Sequence, residues 1–195
     1  PQSDGKAPAL TVFSKEGENT YYYSPATGKT VRWAQTIDGK LYYFDGSYRM
    51  YTGWLTWNAD GSKSFFASNG QAQSGFMKQG SATYYMSPST FRSVRWAQTI
   101  GGALYYFSGD YQMYTGGWIT WKADGTKSYF ASNGKALTGW QKISGSTYYF
   151  NPSNARAVKW QQKIGNYWYY FNGKCQMHTG WLTWNADKSK SYFDA

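Results

Sequence analysis

Tryptophan, tyrosine and methionine recur at fixed spacings along this chain, in combinations that could wall in a ligand. The first set is Trp33, Tyr43, Met50 and Trp54. The second is Trp96, Tyr106, Met113 and Trp118, and the third is Trp160, Trp168, Tyr170, Met177 and Trp181. A cage of ring faces attracts a quaternary ammonium through the negative face of each ring. Flat rings equally suit the apolar faces of sugars. Strand alternation puts residue 41 and Tyr43 on one face and Tyr42 on the other. Tyr43 can therefore share a ligand face with Trp33, while Tyr42 packs inward. On this reading Trp54 closes the site, and Trp57, Phe65 and Phe66 hold the repeats together.

Covalent and acid–base chemistry finds few players. Cys175 and His178 lie close in sequence, but two other copies of the same segment carry Tyr48 and Tyr51, and Tyr111 and Tyr114, at those places. A catalytic pair confined to one of three equivalent units is a poor catalyst design, and His178 is the single histidine, so base-dependent mechanisms lack a residue. One cysteine excludes an intrachain disulfide framework and a zinc cluster. The "WNADG" turns offer one Asp each, far short of a calcium loop. The expectation is a non-enzymatic chain with no cofactor and no metal.

The elements that position the rings come from internal repetition. Trp33, Trp96 and Trp160 are spaced by 63 and 64 residues, and Trp54, Trp118 and Trp181 by 64 and 63. Within each long unit a shorter period of about 20 to 22 residues defines three hairpin types. Type 1 covers 13–32, 76–95 and 140–159. Type 2 covers 33–53, 96–117 and 160–180. Type 3 runs 54–75, 118–139 and from 181 to the last residue. Asp-Gly and Asn-Gly pairs supply positive φ for tight turns, and "LYYF", "TYYF" and "KSYF" are aromatic strands. No segment carries a 3.6-residue apolar period. An isolated hairpin is marginal in water, so stacking must bury the rings. The expected fold is all-β, a solenoid of about nine stacked hairpins. Residues 1–12 read as a leader or linker, and residues 13–195 as one repeat domain with units 13–75, 76–139 and 140–195.

Net charge is +10, from 20 Lys and Arg against 10 Asp and Glu. That balance favours an anionic partner. The three type 1 copies carry +1, +3 and +3, most of the total. No apolar run reaches membrane-spanning length, so membrane insertion is not expected. The chain begins without Met or a signal peptide, which suggests a piece of a larger protein whose targeting information lies elsewhere.

The words "DGKLYYFDGSYRMYTGW" resemble the cell-wall-binding repeat family, which includes choline-binding modules, glucan-binding repeats and the repetitive tails of clostridial toxins. The resemblance covers the chain from about Phe13 onward. It implies a superhelix with roughly three hairpins per turn and ligand sites between consecutive hairpins. Those sites would use the opening Trp, an aromatic of the "WYYF" strand and the Met before "TGW". The chain departs from the pattern at the first position of that strand. Thr20, Thr83 and Thr147 stand there in type 1, Leu41 and Leu104 in type 2, and Ser64, Ser128 and Ser191 in type 3, leaving Trp168 as the ring that is kept.

Three hairpins per turn and a three-hairpin period together give three faces, one per type. Arg32, Arg92, Arg95, Arg156 and Lys159 would then line a basic stripe that follows an anionic polymer. The expected function is a cell-surface-binding module for a wall polymer, whether teichoic acid, a choline-bearing polymer or a glucan. It would anchor a covalently linked partner domain and sit outside the cell at the wall or surface. The rival classes are a structural stalk whose rings serve folding alone, and a nucleic-acid binder. The repeat pattern disfavours the latter.

Overall fold

A computed structural model describes residues 12–194. The leader expected at 1–12 therefore lies, but for its last residue, outside the described residues. Among the described residues there is no helix. Eighteen strands pair as nine antiparallel, two-stranded hairpins, each formed by neighbours in sequence. The all-β hairpin repeat expected from the sequence is the fold observed.

The chain divides into two compact units, Pro1–Val94 and Arg95–Ala195. The first holds hairpins β1–β2 (Phe13–Glu16, Asn19–Tyr22), β3–β4 (Trp33–Ile37, Lys40–Phe44), β5–β6 (Gly53–Thr56, Lys63–Phe66) and β7–β8 (Gly75–Gln79, Ala82–Met86). The second holds β9–β10 (Trp96–Ile100, Ala103–Phe107), β11–β12 (Gly117–Thr120, Lys127–Phe130), β13–β14 (Gly139–Ile143, Ser146–Phe150), β15–β16 (Trp160–Ile164, Tyr167–Phe171) and β17–β18 (Gly180–Thr183, Lys190–Phe193).

The turn chemistry read from the sequence operates as expected in the type 2 hairpin. Asp38 and Gly39 both take positive φ, 48° and 72°, the pairing that lets a two-residue turn match strand twist. Type 3 hairpins use a longer turn. There the amide of Gly61 donates to Trp57 O at 2.8 Å, and Asp60 Oδ1 accepts from the amide and hydroxyl of Ser62. In the last copy Lys188 holds the glycine's place at φ 61°.

Two-stranded sheets leave many backbone groups without a partner, and the connectors supply them. After eight of the nine second strands the chain folds back to form a bridge, such as Phe44 with Met50 and Phe66 with Ala72. The same connector donates an amide to the preceding hairpin. Met50 N donates to Thr20 O, Ala72 N to Leu41 O and Ser93 N to Lys63 O in the first unit. Ala136 N donates to Leu104 O, Ala157 N to Lys127 O and Met177 N to Thr147 O in the second. Each bond is 2.7–2.9 Å long.

In seven of the nine hairpins the residue that ends the second strand is the core. Phe44, Phe66 and Met86 in the first unit, and Phe107, Phe130, Phe150 and Phe171 in the second, are fully buried. Full burial of such a side chain contributes roughly 1.5–3 kcal/mol, so a chain poor in aliphatics builds its interior from one large side chain, six times a ring and once Met86, in each of these hairpins. Tyr42, Tyr84, Tyr105 and Tyr148 lie two residues earlier on the same strand face and are also buried.

One expectation fails at the level of register. Ser64 does not hold the first position of the aromatic strand. Leu55 pairs with Ser64 and Thr56 with Lys63, whereas in the type 2 hairpin Gln35 pairs with Tyr42 and Thr36 with Leu41. Lys63 therefore holds the first position, and Ser64 stands where type 2 has its inward tyrosine. The same shift applies to Ser128 and Ser191, which pair with Ile119 and Leu182.

Candidate functional site: three aromatic clusters

Trp33 occupies a glycine's place. It pairs with the strand-ending Phe44, just as Gly53 pairs with Phe66 and Gly75 with Met86. Gly53 and Gly75 have φ of 94° and 90°, and Trp33, Trp96 and Trp160 have φ of 66°, 66° and 63°. The left-handed region costs an L-residue roughly 1–2 kcal/mol, and such strain concentrates at functional positions. Its effect is directional. An extended Trp33 would point to the same face as its cross-strand partner Phe44. The left-handed backbone turns the indole to the opposite face, where it meets Tyr43 at 6.2 Å between ring centroids. Trp96 meets Tyr106 at 6.3 Å and Trp160 meets Tyr170 at 6.4 Å. The three indoles remain 54%, 52% and 56% exposed.

The third ring of each cluster is the second Trp of type 3. Trp57 stands perpendicular to Tyr43 at 5.7 Å, Trp121 meets Tyr106 at 6.1 Å, and Trp184 meets Tyr170 at 5.6 Å. In the first cluster Trp33, Tyr43 and Trp57 line a cavity of about 420 Å³ with Ala34, Leu55, Thr56 and Asn58. The serine register explains how this ring is held. Trp57 Nε1 donates to Ser64 Oγ at 2.8 Å, and Ser64 Oγ donates to Phe91 O at 2.6 Å. Trp121, Ser128 and Ala155 repeat the chain at 2.9 and 2.6 Å, and Trp184 bonds Ser191 at 2.8 Å. A buried serine thus replaces a core tyrosine and fixes the indole beside it. The sequence held that signal: a Trp and a Ser seven apart in all three type 3 copies.

Trp54 and Met50, expected in the site, are placed elsewhere. Trp54 packs on Phe65 at 5.2 Å and on Tyr84 of the following hairpin at 5.3 Å. Trp118 packs on Tyr129 and Tyr148 at 5.1 and 4.9 Å. Trp181 has Tyr192 at 5.2 Å and is 68% exposed. Met50 packs against the Ile37, Tyr42 and Phe44 cluster. A Cβ on Gly70 would run into the Met50 side chain, and one on Gly134 into Met113. Met177 pairs with Phe171 in its connector. Trp168 is exposed, with Lys163 as its cross-strand neighbour.

Behind each cluster a polar ring closes the fold. Tyr51 donates to Trp54 O at 2.8 Å and Tyr114 to Trp118 O at 3.3 Å. His178 Nε2 takes the same place, 3.2 Å from Trp181 O. His178 thus replaces a structural tyrosine. Cys175 is fully buried and its thiol is pushed up by burial, the opposite of an activated nucleophile.

The basic residues sit on rings or beside carboxylates. Arg32 lies 4.9 Å from the Tyr48 ring centroid and Arg95 5.2 Å from Tyr111. Arg92 lies 4.1 Å over Trp57 and 3.6 Å from Asp60. Arg156 lies 4.8 Å over Trp121 and 2.9 Å from Asp124. The hydroxyl and amide of Thr126, then Arg156, hold Asp124 below the usual carboxylate range. Lys159 Nζ donates to Asp124 O at 3.2 Å. Among the described residues no group of three or more His, Cys, Asp or Glu could hold a metal, and no helix is long and apolar enough to cross a membrane.

Comparison with known proteins finds similar repeats elsewhere. A choline-binding repeat model matches residues 157–195, and a cell wall binding repeat model matches 138–153. Glucosyltransferase-S of Streptococcus mutans is 28% identical over 164 residues, 73% of this chain. Toxin A of Clostridium novyi is 36% identical over 120 residues, 55% of this chain. The chain spans 11% and 5% of the length of these two relatives. Among solved structures, the choline-binding domain of CbpL from Streptococcus pneumoniae superposes with a TM-score of 0.69 at 21% identity, covering 94% of this chain and 93% of that one. Choline binding protein F of the same organism gives 0.55 at 18% identity, covering 94% and 83%. At such identities the likeness is one of fold. Residues 138–153 and 157–195 thus match the cell wall binding and choline-binding repeat models, and the chain shares the β-hairpin repeat fold of a choline-binding domain.

Proposed function

We propose that this chain is a non-catalytic binding module that holds a larger protein on a bacterial cell surface. The observation that carries the reading is the threefold recurrence of an exposed Trp, a Tyr and a second Trp, each set built on a strained backbone. Rings that served folding alone would have no reason to accept left-handed φ and half exposure. The family supports a repetitive wall polymer as partner, with sugar rings or quaternary ammonium groups as the contacted units. Teichoic acid, choline-bearing polymers and glucans all offer such units. Several weak sites on one chain gain avidity when they engage one polymer.

The repeat domain is proposed to run from residue 13 in the three units read from the sequence, with an extracellular, wall-associated location. Arg32, Arg92, Arg95, Arg156 and Lys159 flank the ring clusters and suit a polymer with anionic links. The partial length relative to the curated proteins supports a covalently joined partner domain.

The test is sedimentation with purified bacterial envelopes before and after teichoic acid extraction. The chain should co-sediment, and replacing Trp57, Trp121 and Trp184 together by Ala should reduce retention at least about tenfold, the loss expected when several weak contacts on one chain are removed. Equal retention of the triple variant would remove the clusters from the binding role. No retention of the parent on any envelope would leave the stalk reading.

A further inference from the structure

A cavity of about 460 Å³ opens in the second unit beside the Trp96–Tyr106–Trp121 cluster. It shares Trp121 with that cluster, but neither Trp96 nor Tyr106 lines it. β9–β10 contributes Ala103, the connector after β12 contributes Lys135 and Thr138, and the connector after β14 contributes Asn154, Ala155 and Arg156. Three of these positions depart from the first repeat. Ala103 stands where that copy has Lys40, Ala155 where it has Phe91, and Lys135 where it has Gln71. Two large side chains are thus reduced to methyl groups, which leaves room. Gln71 spends its amide on Tyr42 Oη at 3.1 Å. The Lys135 ammonium has no hydrogen bond or ion pair among the described residues.

The cavity offers donors. Lys135 brings donors alone. Asn154 Oδ1 is occupied by the amide of Arg156 at 3.0 Å, so its NH2 group remains to donate. Arg156 gives one Nη to Asp124 at 2.9 Å and keeps further N–H groups. Carbonyls of three lining residues are already taken: Leu104 O by Ala136 N, Thr138 O by Gln141 Nε2 and Ala155 O by Ser128 Oγ. Among the described residues no carboxylate lines the cavity. Asp124 offsets the charge of Arg156, which leaves Lys135 as the uncompensated cation. Such a set suits an oxyanion, because charge-assisted bonds are the strong ones. The donors come from two separate connectors. A tetrahedral phosphate, with oxygens on several sides, meets more of them than a flat carboxylate does.

We infer that this cavity is a phosphate-binding subsite, with Lys135 as its main charge and Asn154 and Arg156 as further donors. Its ligand is the anionic group of a polyol phosphate, and Ala103 and Ala155 make the room for it. The inference rests on the polymer-binding role proposed above and deepens it, since it gives the phosphate of a polymer a place apart from the rings.

The test titrates the chain with glycerol phosphate, a monoester, and with dimethyl phosphate, a diester. Sodium chloride at equal ionic strength and neutral glycerol are the controls. Proton–nitrogen correlation spectra follow the amides of Lys135 and Asn154 and the indole N–H of Trp121. These signals should move and saturate with at least one ester and not with the controls. Saturation by the diester places links within a polymer in the site, and saturation by the monoester alone places terminal or free phosphates there. Lys135→Gln installs the first copy's residue at an exposed position and should weaken binding at least about tenfold, as expected for losing a charge-assisted bond. Ala155→Phe keeps the charge and fills the cavity, and should abolish the response. The backbone accepts it, since Phe91 holds φ 56° where Ala155 holds 54°. No saturation in the parent by either ester, an equal response to glycerol, or unchanged affinity in Lys135→Gln would overturn the inference. Envelope sedimentation reports the wider role separately. Retention without a phosphate response removes this subsite alone, and a phosphate response without retention removes the wall role alone.

Discussion

Trp33 and Trp54 show how two residues of one type divide at the scale of the side chain. Trp33 is half exposed on a left-handed backbone, and Trp54 is wedged between Phe65 and Tyr84. Replacing Trp33 by Gly relieves the backbone strain. That relief offsets the missing ring packing on Tyr43 and the greater chain entropy of glycine. Stability by urea unfolding should change by less than about 1 kcal/mol, while envelope retention falls. Trp54→Ala should do the reverse. It should cost about 2–4 kcal/mol, in the range for deleting a large packed ring, and leave the Trp33–Tyr43–Trp57 cluster in place. A larger stability loss for Trp33→Gly than for Trp54→Ala would contradict this division.

At the scale of the element, the connector does more than join hairpins. It returns an amide to the hairpin before it, and the connectors carrying Met50 and Met113 also place that methionine over Gly70 and Gly134 of the next connector. Gly70 combines φ 77° with a Cβ position that collides with Met50. Gly70→Ala should therefore destabilise by at least about 2 kcal/mol, from left-handed strain together with overpacking. Adding Met50→Ala should recover part of that loss, giving a favourable coupling in a double-mutant cycle. Additive losses would show that the two do not share the space.

At the scale of the whole chain, stability in a repeat array is a sum of unit and neighbour terms, so it need not be uniform. Hairpins β5–β6 and β11–β12 are each covered by the hairpin after them, through Tyr84 on Trp54 and Tyr148 on Trp118. In β17–β18 the matching Trp181 and Tyr192 are 68% and 58% exposed. In the isolated 195-residue chain, amides of β17–β18 should exchange with solvent at least about tenfold faster than those of β11–β12, as expected where local opening is cheaper. Equal protection would mean that the exposed rings contribute little to holding their neighbours.

The sequence by itself determined the number of hairpins, the tight turn of the type 2 hairpin, the three-hairpin period, and the inward role of Tyr42 and Phe44. These follow from local rules: Asp-Gly turns fix where strands reverse, and alternation fixes which side chains share a face. Three features needed the tertiary structure. Ser64 looked like the first residue of its strand, but pairing with Leu55 put it in a core tyrosine's place, because register depends on the partner strand as well as on the motif. Trp33 is expected to share a face with Tyr43 and does meet it, but from a glycine position with left-handed φ that strand alternation does not foresee. Trp57 read as packing and Trp54 as ligand contact. The fold brings Trp57 to the Trp33–Tyr43 cavity and covers Trp54 with Tyr84. Alternation says which residues lie together on a strand. Only the packing of successive hairpins decides which of those faces is covered and which is left open.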